Sequence, residues 1–104
     1  MNSVTITGKI EELCNIEDRV QLKVRVLDAP TRSTSLIRCS AYGNLVTYIN
    51  QELRRGDEVI ISGRLMGKTI KTANGFTYFS EVRIRYISLL GQIEYGAYND
   101  IKNE

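Results

Sequence analysis

Strict alternation of apolar and polar residues constrains this chain more than any other feature. Val4, Ile6, Gly8 and Ile10 alternate with Ser3, Thr5, Thr7 and Lys9. Val20, Leu22, Val24 and Val26 alternate with Arg19, Gln21, Lys23 and Arg25. Successive side chains of a strand point to opposite faces, so each run predicts a strand with one face buried and one wet. Residues 35–42 predict a third strand. It sets Ile37, Cys39 and Ala41 on one face and Leu36, Arg38, Ser40 and Tyr42 on the other. Residues 58–66 and 76–90 predict two more, joined by a hairpin with Ala73-Asn74-Gly75 at its tip. Asn and Gly tolerate the positive φ such a tip needs.

One segment has a different period. Across residues 44–55, Leu45, Ile49 and Leu53 fall at i, i+4 and i+8, with Val46 beside them. That spacing predicts a helix, with Asn44 as its N-cap, Arg54 and Arg55 at its C-terminal dipole and Gly56 closing it. Residues 92–104 are polar and aperiodic and are expected to fray.

The order is therefore three strands, a helix and two strands. This predicts an all-β fold: an OB-fold, a five-stranded Greek-key barrel over residues 1–91 with one helix between strands three and four. Residues 92–104 are left as a short tail. Such barrels hold oligonucleotides or oligosaccharides on the face of strands two and three, although a fold does not fix a function.

Composition removes several function classes. The chain has 104 residues, enough for one domain, and 42% of them are hydrophobic, enough for a core. No apolar run reaches the roughly 18 residues of a membrane span. The start has no basic block followed by an apolar one, so no signal peptide and no secretion are expected. There is no His, which excludes His-dependent acid–base and nucleophilic catalysis. Without His, two Cys make no ordinary zinc site, and no cofactor is expected. The paired carboxylates Glu11-Glu12 and Asp57-Glu58 point apart on an extended chain and read as surface charge. Cys14 and Cys39 read as reduced, buried thiols in a cytosolic or organellar compartment. Gly8, Gly43, Gly63 and Gly67 read as bends and turns, not as a phosphate loop.

Net charge is only +2, but its distribution is uneven. Residues 1–60 are neutral overall, residues 61–91 carry +4 and residues 92–104 carry −2. A local basic zone points to a polyanionic partner.

Four stretches resemble bacterial-type single-stranded DNA-binding proteins. Asn2-Ser3-Val4-Thr5-Ile6-Thr7-Gly8 is similar to the family's opening strand. Arg38-Cys39-Ser40-Ala41-Tyr42-Gly43-Asn44-Leu45 is similar to its third strand and helix start. The segment from Leu53-Arg54-Arg55-Gly56 to Gly63-Arg64-Leu65 resembles its Leu-x-Lys/Arg-Gly-x-x-Val-x-Ile/Val-x-Gly-x-Leu pattern. Gly75 followed by Tyr78-Phe79-Ser80-Glu81-Val82 resembles its Gly-x-x-Tyr-x-Thr/Ser-Glu-Val. The chain departs from the family at Leu36 and Ile70, where large aromatics are usual, and in lacking the acidic, Phe-terminated tail. In this it is similar to reduced members such as primosomal replication protein B and short cyanobacterial and plastid proteins.

The resemblance implies a homo-oligomer, dimer or tetramer, paired through strand one. It implies single-stranded DNA as partner in replication, recombination or repair, with RNA left open and replication proteins as further partners. The candidate nucleic-acid-binding residues are Lys23, Arg25, Leu36, Arg38, Tyr42, Arg64, Lys68, Ile70, Lys71 and Phe76. Arg38 and Tyr42 share a strand face with a cation and a ring, and Lys23 and Arg25 extend it. Lys68 and Lys71 flank Ile70 on a projecting hairpin suited to phosphate contacts. Arg83 and Arg85 lie on the outside of strand five and fit a subunit contact as well. Tyr78 and Tyr86 have core parity. The competing reading is a scaffold or primosome-type subunit acting through protein contacts with weak DNA binding.

Overall fold

The computed structural model describes residues 1–91, so the tail at 92–104 lies outside the described residues. The elements are β1 (Val4–Ile16), β2 (Arg19–Asp28), β3 (Ser33–Tyr42), α1 (Asn44–Glu52), β4 (Glu58–Thr72) and β5 (Gly75–Gly91). The strands close into a barrel in the order β1-β2-β3-β5-β4, with the helix between the third and fourth strands as expected. Neighbours are antiparallel except β3 and β5, whose short parallel seam pairs Cys39 with Val82 and Ser40 with Arg83.

The core is where the alternation put it. Ile10, Val20, Leu22, Val24, Cys39, Ala41, Val59, Ile61 and Val82 are buried, and α1 adds Ile49 while Leu53 follows it. Each such aliphatic side chain contributes about 1.5–3 kcal/mol by leaving water.

The helix is shorter than its periodicity suggests. It ends at Glu52, and Leu53 is extended at φ −116°. Gly43, not Asn44, is the N-cap, at φ 66° with no side-chain cap. The Arg54 amide donates to Asp57 Oδ2 at 2.8 Å, and the Asp57 amide to the Arg54 carbonyl at 3.1 Å. This turn, with Gly56 at φ 100°, takes Arg54 and Arg55 out of the helix. Asp57 is therefore buried and structural, not surface charge. The turn also docks on β1, where Gly56 N donates to Ile10 O and Ile10 N to Asp57 O.

Two bulges change parity within the barrel wall, and a third slip lies between Glu58 and Val59 at the end of the β4–β5 ladder. In β1 the register slips between Ile10 and Glu12. In β4–β5 it slips between Ser62 and Gly63, so Ile84 and Ile87 both face the core. Tyr86, expected inside, is pushed out to 59% exposure. Tyr78 keeps core parity with Val82 but lies beyond the barrel, where β4 and β5 continue as a two-stranded arm; it is 74% exposed. Cys14, after the first bulge, is exposed, whereas Cys39 is buried. A Cβ on Gly63 would come within 2.1 Å of the Arg83 carbonyl oxygen, so the second bulge needs glycine.

β1 changes partner half-way. Residues 4–9 pair with β4 and residues 9–16 with β2. Before Lys9, the edge of β1 away from β4 carries no ladder partner among the described residues. Asn2 acts as an extra rung: its side-chain oxygen accepts from Leu65 N and its side-chain nitrogen donates to Leu65 O, both at 2.8 Å.

Candidate nucleic-acid interface

The outer face of β2 and β3 gathers the first group of candidates. Cross-strand partners share a face, and the register sets Arg19 opposite Tyr42, Lys23 opposite Arg38 and Arg25 opposite Leu36. β1 brings carboxylates to the same face. Glu12 Oε1 lies 3.0 Å from Lys23 Nζ, and Glu11 Oε1 accepts from Arg25 Nε at 3.3 Å. Arg25 Nη1 also donates to Thr34 Oγ1 at 2.9 Å. Leu36 is 47% exposed and borders an open cleft of about 530 Å³ with Lys23 and Arg55.

Across the parallel seam, β5 contributes residues outside the candidate set. The Arg38 guanidinium lies over the Phe79 ring, 4.5 Å from its centroid. The Arg83 guanidinium lies over the Tyr42 ring at 4.2 Å. Between these pairs Ser40 Oγ donates to Glu81 Oε2 at 2.8 Å, and Lys68 Nζ approaches the same oxygen at 3.9 Å. Arg19 Nη1 donates to Tyr42 Oη at 3.4 Å, and this bond holds the Arg19 pKa above its ordinary value. The seam is thus a row of two guanidinium–aromatic stacks around one buried carboxylate. Phe79, Glu81 and Arg83 alternate on one face of β5, which the sequence displays; that β5 runs beside β3 it does not.

The arm splits the remaining candidates. Arg64, Lys68 and Ile70 alternate along one face of β4; Arg64 stands opposite Arg83 and Lys68 opposite Phe79. Lys71 is three residues past Lys68 and points the other way, opposite Phe76. The two lysines therefore flank Ile70 in sequence but do not share its face. Lys68, Ile70 and Arg64 join the seam; Lys71 and Phe76 do not.

Like charges directly opposite on neighbouring strands are destabilising. This surface has such pairs in Lys23 with Arg38 and Arg64 with Arg83, and at its β1 border in Lys9 with Arg25. Arg64 and Lys71 make no ion pair among the described residues. An anionic chain laid over the face relieves that repulsion, and the rings beneath offer flat apolar surface to bases. Among the described residues no cluster of His, Cys, Asp and Glu could hold a metal ion, and no helix is long and apolar enough to cross a membrane.

The model of the single-strand binding protein family matches residues 1–90. The chain belongs to that family. Comparison with curated protein sequences finds no match. Among solved structures, a mitochondrial single-stranded DNA binding protein from S. cerevisiae is similar at a TM-score of 0.76 and 12% identity, over 86% of this chain and 94% of that one. A Plasmodium falciparum SSB in complex with ssDNA is similar at 0.70 and 19% identity, over 88% and 96%. At these identities the likeness is one of fold, and it agrees with the five-stranded OB-fold barrel read from the strand order. Family membership also gives the four resembling stretches a structural sense. Asn2 clamps the start of β1 to β4 at Leu65, and Gly63 makes the bulge in the same strand.

Proposed function

We propose that this chain is a non-enzymatic binder of single-stranded DNA with little sequence preference. The strand lies along the outer face of β2, β3 and β5 and on to the front face of the arm. The observation that carries this reading is the pair of guanidinium–aromatic stacks, Arg38 on Phe79 and Arg83 on Tyr42, set beside the like-charge cross-strand pairs Lys23 with Arg38 and Arg64 with Arg83. Family membership supports it, as does the likeness in fold to an SSB solved in complex with ssDNA. Arg38, Tyr42, Arg64, Lys68 and Ile70 are the contact residues, with Arg83 and Phe79 added. Lys23 and Arg25 are partly occupied by Glu12 and Glu11. The work of such a protein lies in replication, recombination or repair, where single strands are exposed.

A homo-oligomer goes with this function. The unpartnered edge of β1 before Lys9 is the observation that favours it, because an open, regular edge accepts another strand. A cleft of about 550 Å³ lined by Thr7, Gly8, Lys9, Arg25 and Leu27, among others, runs beside that edge.

Titration of labelled oligo(dT) at low and moderate salt tests the binding. Log K is expected to fall linearly with log salt, by about 0.7 for each phosphate contacted. No binding at low salt, with the fold intact by circular dichroism, refutes the reading and leaves a protein-contact subunit. Light scattering that finds only monomer at micromolar concentration refutes the oligomer.

A further inference from the structure

One negative charge lies buried among the cations of the seam. The Glu81 side chain is only 5% exposed, and none of the contacts proposed above uses it. Strand register and seam contacts arrange its surroundings as three rows across β2, β3, β5 and β4. One outer row sets Arg19, Arg83 and Arg64 around the Tyr42 ring. The other sets Lys23, Arg38 and Lys68 around the Phe79 ring. Between them run Gln21, Ser40, Glu81 and Met66, a row whose one charge is negative. Rows lie two residues apart along each strand, about 6.6 Å. A carboxylate between two lines of cations repels phosphate, so the backbone follows the outer rows and base edges fall to the middle one.

The two oxygens of Glu81 differ in what holds them. Oε2 accepts from Ser40 Oγ at 2.8 Å and faces Lys68 Nζ at 3.9 Å. Oε1 has no hydrogen-bond partner among the described residues, yet it is not sealed from solvent. A carboxylate oxygen accepts and does not donate. Cytosine carries an amino donor where thymine carries a carbonyl oxygen, and adenine carries an amino group as well. An amino group over the middle row meets Oε1 as donor to acceptor; a carbonyl there meets it as acceptor to acceptor.

We propose that Glu81 is a base-reading residue. Its Oε1 accepts from the exocyclic amino group of a base lying over the middle row, and it disfavours thymine and uracil in that place. The preference is for a class of base and leaves the order of bases unread. It rests on the single-stranded DNA reading and deepens it.

The test compares oligo(dC) with oligo(dU) of equal length by fluorescence anisotropy, at mildly alkaline pH where cytosine is unprotonated. The two bases differ only along the edge that meets Glu81. The parent is expected to bind oligo(dC) about tenfold or more tightly. In Glu81→Gln the amide oxygen stays toward Ser40 and Lys68, which both donate, and the NH2 group takes the place of Oε1. A donor then stands where an acceptor stood, and the ratio is expected to fall to one or below. An oligonucleotide of N4,N4-dimethylcytosine has no amino hydrogen and is expected to lose the preference on the parent itself, whether or not the variant folds. Equal binding of oligo(dC) and oligo(dU) by the parent overturns the proposal. So does a folded variant that keeps the parent's ratio, or a dimethylated oligonucleotide that binds as tightly as oligo(dC). If neither oligo(dC) nor oligo(dU) binds the folded parent at low salt, the single-stranded DNA reading falls and the proposal with it.

Discussion

Replacing Glu11 and Glu12 together with glutamine tests whether the β1 carboxylates restrain the interface. Lys23 Nζ is 3.0 Å from Glu12, Arg25 Nε is 3.3 Å from Glu11, and the four side chains are 39–59% exposed. Ion pairs this open to water contribute about 0–1 kcal/mol each, so the double variant should lose less than about 2 kcal/mol of stability. Binding should change more. In the parent, a phosphate reaching Lys23 or Arg25 has to displace a carboxylate. In the variant neither cation is held by a carboxylate, although Arg25 keeps its bond to Thr34. Each added phosphate contact on a single strand steepens the slope of log K against log salt by about 0.7, so two steepen it by up to about 1.4. Over a tenfold drop in salt, the variant should then gain about 25-fold more affinity than the parent. Fluorescence anisotropy with labelled oligo(dT) over a salt series reads this, with urea melts of both proteins as the stability control. An unchanged slope in a folded variant would show that Lys23 and Arg25 do not touch phosphates, and the interface would shrink to the seam and arm.

Three other outcomes are expected. Gly63→Ala drives a methyl to 2.1 Å from the Arg83 carbonyl oxygen, so it should destabilise the barrel by about 1–3 kcal/mol or more, read as a lower urea midpoint. Tyr42→Ala removes a stacking surface without changing charge; affinity for oligo(dT) should fall by about 1–3 kcal/mol while the salt slope holds. Burial, with a lesser push from Glu81, raises the Cys39 thiol from 9.0 to about 12. Between those values the unfolded thiol ionises and the folded one does not, so the folded state binds more protons and stability falls as pH rises. Cys39→Val should flatten that fall relative to the parent in denaturant melts, and a thiol reagent should label Cys14 but not Cys39 in the native protein.

The barrel was legible because its strands obey a period of two, and interior positions such as Val20, Leu22, Val24, Cys39 and Ala41 are buried as that period demands. Alternation fails where register slips. No residue type at Arg85 announces the bulge that ejects Tyr86, and parity cannot tell that the strand holding Tyr78 has left the barrel. The helix was overextended because Leu53 satisfies both the helical period and the extended strand that follows. For the site, Arg38, Tyr42, Lys23 and Arg25 were legible as one face because β2 and β3 are sequential neighbours. Arg83 and Phe79 were not, because they arrive from β5 through a parallel contact between segments about forty residues apart. Glu11 and Glu12 were read as bystanders, since only the β1–β2 register brings them onto the lysine and arginine.

The parallel seam is the barrel's slimmest closure, with two residue pairs joining β3 to β5, where β4 and β5 run together along the whole arm. The same seam carries the Arg38–Phe79 and Tyr42–Arg83 stacks. A strand of DNA lying across it would touch both sides at once and act as a lath nailed over a joint. Whatever binds only the closed form stabilises closure, by an amount that grows with the logarithm of one plus ligand concentration over Kd. Hydrogen exchange of the amides around Cys39, Ser40, Val82 and Arg83 should therefore slow on adding oligo(dT) more than that of the β1–β2 ladder. Breathing at this joint would in turn pull each ring away from its guanidinium, so the platform and the clasp of the barrel open and shut as one.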